Sequence, residues 1–67
     1  MEIFAERLKE LRKDKGISQE WLAKEIGVSR IAVGYWESCK REPGFFAVIK
    51  LAKFFNVSLE YLAGMED

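Results

Sequence analysis

The chain has 67 residues, 49% hydrophobic and 33% charged, which describes one small compact domain and excludes a disordered tail. No apolar run approaches the roughly 20 residues of a membrane span, and "MEIFAERLKE" has no signal-peptide core, so a cytoplasmic protein with no membrane partner is expected. One cysteine and no histidine exclude an internal disulfide and a structural zinc site, and eleven bases against eleven acids show no overall bias toward a polyanionic partner.

The apolar periodicity predicts an all-α fold, a compact bundle of five helices in a single domain over 1–67. The first helix covers about 2–15. Phe4, Leu8 and Leu11 form its inner stripe, and Gly16 ends it. Three later starts share one device. In "ISQEWL", "VSRIAV" and "VSLEYL" an apolar residue precedes a serine, and another follows it by four. The serine caps a free backbone N–H, and the flanking pair closes a hydrophobic staple: Ile17 with Leu22, Val28 with Val33, Val57 with Leu62. These starts predict helices over about 18–25, 29–38 and 58–63. The remaining helix, about 45–55, follows Pro43 and Gly44, with Phe45, Val48, Ala52 and Phe55 expected on its inner face.

"SQEWLAKEIGVSRIAVGYWE" then reads as two short helices joined around Gly27, with Ala23 small enough for a close crossing and Leu22, Ile26, Val33 and Trp36 turned inward. That is a helix-turn-helix pattern, although any helical hairpin would share it. At about 100° per residue, Arg30, Ile31, Gly34, Tyr35 and Ser38 share an outward arc of helix 29–38. A solvated face would more naturally carry Glu, Lys and Gln. A guanidinium, an aliphatic and a phenol suit base edges, a thymine methyl and phosphate in a major groove. Charge is also uneven. Residues 30–53 hold five bases against Glu37 and Glu42, and residues 54–67 hold Glu60, Glu66 and Asp67 with no base.

"RLKELRKDKGISQEWLAKEIGVSRIAVGYWESCKREP", with "LAKFFNVSLEYLAG", resembles the lambda-repressor-like (Cro/xenobiotic-response-element type) helix-turn-helix family over about residues 4–64. The resemblance rests on Gln19, Leu22-Ala23, Gly27, Val33, Trp36-Glu37, Lys40-Arg41 and Pro43. It implies a five-helix domain that binds double-stranded DNA at a near-palindromic operator, as a transcriptional regulator of repressor type and a homodimer. On matching positions it implies base reading by Arg30, Ile31, Gly34 and Tyr35. Phosphate contacts are implied for Gln19, Ser29, Lys40 and Arg41, and an ion pair for Arg12 with Glu37. With no histidine, no Gly-rich phosphate loop and no pair of carboxylates at a pocket in view, no enzyme activity, cofactor or metal is expected.

Three positions depart from the family pattern. Cys39 stands where a glycine usually turns through positive φ, a conformation that should cost a cysteine about 1–2 kcal/mol. Gly44 replaces the usual Ser or Thr cap of helix four, and Gly34 empties one reading position. Trp21, Phe46, Phe54 and Tyr61 are aromatics where relatives carry polar or small residues. Phe54 and Tyr61, with Phe55 and Leu59, are therefore expected to form the dimer contact, Phe54 beside Tyr61. Two further functions suit the neutral charge and excess aromatics: a protein-interaction module on the same fold, or an antitoxin that binds DNA and a toxin.

Overall fold

The computed structural model describes residues 2–65, so Glu66 and Asp67 of the acidic end lie outside the described residues. Five helices follow in chain order, with no strand among the described residues. They are α1 (Glu2–Lys15), α2 (Gln19–Ile26), α3 (Arg30–Glu37), α4 (Phe45–Phe55) and α5 (Leu59–Ala63).

Local sequence sets the ends. Ser18, Ser29 and Ser58 stand just before α2, α3 and α5, in extended backbone, and each hydroxyl accepts from the N–H three residues on. Each such cap is worth roughly 1 kcal/mol. Gly27 closes α2 at φ 76°, and its N–H reaches the Ala23 carbonyl, so α3 can double back on α2. Gly64 closes α5 at φ 81°, where a Cβ would stand 2.9 Å from the Ile3 side chain. Two non-glycine residues also take left-handed backbone. Cys39 does so at φ 62°, as expected, and Asn56, at φ 57°, ends α4. Asparagine tolerates that conformation better than most residues.

The core lies where the five helices converge. Phe4 and Leu8 of α1, Leu22 of α2, Val33 of α3, Leu51 of α4 and Leu62 of α5 are fully buried, and Trp36 is nearly so. Burying each such side chain contributes about 1.5–3 kcal/mol. α3 packs on α2 and α1, α4 on α5 and α2, and α5 returns to α1.

Two expectations for α4 need correction. Phe45, assigned to the inner face, is 70% exposed, because it is the first residue of the helix and projects past the end of the core. Phe55, offered as dimer surface, is only 9% exposed and packs in the core as its inner-face assignment requires. It is not available to a partner.

Candidate nucleic-acid interface

The outward side of α3 is built as its spacing predicts. Val33 and Trp36 anchor the helix to the core, and Arg30, Ile31 and Tyr35 are exposed. Ile31 is 58% exposed, a large value for an aliphatic among polar neighbours. The Ser29 hydroxyl accepts from the Ala32 N–H at 3.1 Å, which leaves its own O–H to donate outward.

Tyr35 joins the helix to the basic loop. Its carbonyl accepts the backbone N–H groups of Lys40 (2.9 Å) and Arg41 (3.4 Å). Both cationic heads sit over its ring, Lys40 Nζ at 5.8 Å and Arg41 Cζ at 6.0 Å from the centroid. Such contacts contribute about 0.5–1 kcal/mol at an exposed site. They also hold two positive charges beside α3.

Gln19 and Gly34 form a unit that spacing alone does not show. The Gln19 side chain lies over α3, and a Cβ on Gly34 would meet its Oε1 at 3.5 Å. Its Nε2 donates to Glu37 Oε1 at 3.1 Å. An amide nitrogen has two N–H groups, so one donor is left for a phosphate. Gly34 is thus the place where α2 reaches across α3.

Beneath this face lies the pair expected between Arg12 and Glu37. Arg12 Nε donates to Glu37 Oε2 at 2.6 Å and its Nη2 to Oε1 at 3.0 Å, a bidentate clasp. Its Nη1 donates to the Ile17 carbonyl at 2.8 Å. Glu37 is buried, and Gln19 supplies its third donor. The hydrogen bonds that Arg12 donates to Glu37 raise the Arg12 pKa above its ordinary value; burial opposes this, and the Glu37 charge adds to it. One network therefore ties α1, the α1–α2 turn, α2 and the end of α3, and it removes one of the two acids near the basic loop.

The residues expected at the dimer contact have these neighbours. Phe54 meets Trp21 at 6.0 Å and Phe55 at 5.0 Å between ring centroids. Tyr61 lies under the Arg7 guanidinium, 4.2 Å from its centroid, and Arg7 also donates to the Tyr61 carbonyl. Leu59 is exposed. The Arg7–Tyr61 link spans 54 positions in sequence and leaves no local signal.

The sequence profile of the helix-turn-helix family matches residues 8–62. The transcriptional activator BcrR of Enterococcus faecalis is 39% identical over 64 residues, 96% of this chain and 31% of BcrR. The chain spans about a third to three fifths of the length of the first curated relatives it matches. Among solved structures, the P22 c2 repressor in complex with synthetic operator 9T superposes with a TM-score of 0.88 at 33% identity, covering 94% of this chain and 96% of that one. The restriction-modification controller protein C.AhdI of Aeromonas hydrophila gives a TM-score of 0.83 at 38% identity, covering 91% and 92%.

Proposed function

Because the chain belongs to the lambda-repressor-like helix-turn-helix family, we propose that it binds double-stranded DNA in a sequence-specific way and regulates transcription, as a repressor. The observation that carries this reading is the continuous outer face of α3. Arg30, Ile31 and Tyr35 are exposed together, and Tyr35 holds Lys40 and Arg41 alongside.

In this reading α3 enters the major groove. Arg30 grips a guanine edge, Ile31 meets a thymine methyl, and Tyr35 reaches a base edge or phosphate. Ser29, Gln19, Lys40 and Arg41 hold the flanking phosphates, and Gly34 makes room on α3 for the Gln19 side chain. The zero net charge is no obstacle, because residues 30–53 hold five bases against two acids, and one of those acids, Glu37, is paired with Arg12 of α1. A DNA-reading role carries with it the cytoplasmic placement expected from the sequence.

A near-palindromic operator calls for a homodimer. Leu59 and Tyr61 are kept as its centre, and exposed Ile3 and Met65 extend it, since Ile3 touches Gly64 at the end of α5. Phe54 packs against Trp21. A second reading, a protein-interaction or antitoxin role on the same fold, is favoured by the exposed Phe45–Phe46 pair, whose ring centroids are 5.9 Å apart.

Selection of bound sequences from a random duplex pool tests the proposal, followed by a salt titration. One dominant consensus and an affinity that falls steeply with salt are expected. Recovery of no consensus, with weak binding indifferent to sequence, would turn the choice to the second reading.

A further inference from the structure

A groove opens between the end of α2 and the face of α4. Lys24, Glu25, Gly27, Lys50, Lys53 and Phe54 line it, around a volume of about 460 Å³. Trp21 stands at its edge, 47% exposed, with its ring tilted against Phe54. Lys15 Nζ lies 5.5 Å from the Phe54 ring centroid. The surroundings thus hold four lysines and one glutamate over an aromatic floor. Lys50 is committed to the fold, since its Nζ donates to the Ile26 carbonyl at 3.4 Å and closes the end of α2. Lys15, Lys24 and Lys53 remain as exposed cations.

The groove is separate from the reading face. Gln19 meets α3, and Trp21, two residues on, is turned roughly 200° around α2 toward α4. An apolar floor in a cationic rim selects an occupant with apolar side chains and negative charge. A phosphate backbone has the charge and nothing apolar to seat on Trp21 and Phe54.

We propose that this groove docks an acidic segment of a protein partner. A large apolar side chain of the segment seats against Trp21 and Phe54, and its carboxylates face Lys15, Lys24 and Lys53. The site does not depend on the DNA-binding reading.

The test titrates the full chain with a synthetic peptide in which Leu and Phe are interspersed with Asp and Glu. The control peptide has Lys in place of every acid. Saturable binding of the acidic peptide alone is expected, with a change in tryptophan emission and amide shifts centred on Lys24, Gly27, Lys53 and Phe54. Trp21→Phe should abolish the emission change, because Trp36 is buried. The double variant Lys24→Gln with Lys53→Gln should bind at least tenfold more weakly while selecting the same DNA consensus as wild type. Equal binding of both peptides, no binding of the acidic peptide at millimolar concentration, or shifts confined to other surfaces would overturn the proposal. So would random duplex DNA that shifts the groove amides and displaces the peptide. Arg30→Ala should leave peptide binding unchanged, so either function can fail without the other.

Discussion

Arg30 and Lys40 are both cations near the outer face of α3, yet they are expected to behave differently in DNA binding. Arg30 projects from the first turn of the helix; Lys40 is held in the loop over Tyr35. Arg30→Ala should cost about 1–3 kcal/mol of specific binding and relax preference at one base pair. Lys40→Ala should weaken all sequences alike and lower the salt slope by about one. Repeating the pool selection and the salt titration on each variant separates the two roles, and an unchanged consensus for Arg30→Ala would remove it from the reading set. Cys39 gives a prediction about stability. Its φ of 62° suits glycine, so Cys39→Gly should raise stability by about 0.5–1 kcal/mol. A urea midpoint that moves upward with an unchanged slope would show it.

At the level of helices, the buried Glu37 decides how α1, α2 and α3 are held. Arg12→Ala would leave its carboxylate buried with Gln19 as its remaining side-chain donor. A loss of about 3–5 kcal/mol is expected, as for other broken buried pairs. Replacing both partners with apolar residues should cost far less, because no charge is stranded. Denaturant unfolding of the single and double variants measures the difference. Equal losses would mean the pair contributes through packing alone. The raised pKa of Arg12 fixes the sign of its pH dependence. Its stabilisation is complete below the unfolded value and is lost only as pH rises through the higher folded one, so no Arg12-linked loss is expected up to the alkaline limit of ordinary buffers. Trp36 is the other anchor of α3. Trp36→Ala should cost roughly 3–5 kcal/mol, which a domain this small cannot spare. The expected amide spectrum is that of a largely unfolded chain, and good dispersion would contradict the anchoring role.

For the whole molecule the question is assembly. One reading helix covers only a few base pairs, and a twofold dimer places two of them about 34 Å apart on one side of the duplex. Ile3 and Met65 are exposed where α1 begins and α5 ends, and Leu59 is exposed at the start of α5. Leu59→Lys with Met65→Lys changes exposed side chains only, so a folded monomer with much weaker operator binding is expected. Sedimentation at several concentrations, with and without operator, checks this. Wild-type protein that stays monomeric at high concentration yet binds a palindrome tightly would mean that DNA itself brings the pair together.

Much of this could be read from the sequence because the signals were local. A serine before each of three helices, flanked by a staple pair, locates their starts to within one residue. Gly27 and the i, i+3, i+4 spacing of apolar residues orient α2 and α3, and the same spacing sends Arg30, Ile31 and Tyr35 outward. The Arg12–Glu37 pair came from the family resemblance, and the structure shows it. What the tertiary structure alone decided lies at the ends of helices and between distant ones. Phe45 repeats the inner-face period of α4 but stands beyond the reach of the core. Phe55 was apolar enough for either a core or a contact, and only the packing of α4 settled it in the core. Phe54 meets Trp21 and Tyr61 meets Arg7 because α1, α2, α4 and α5 converge in space, across separations that periodicity cannot see. A helical period fixes direction around an axis; which neighbour waits in that direction depends on how the axes cross.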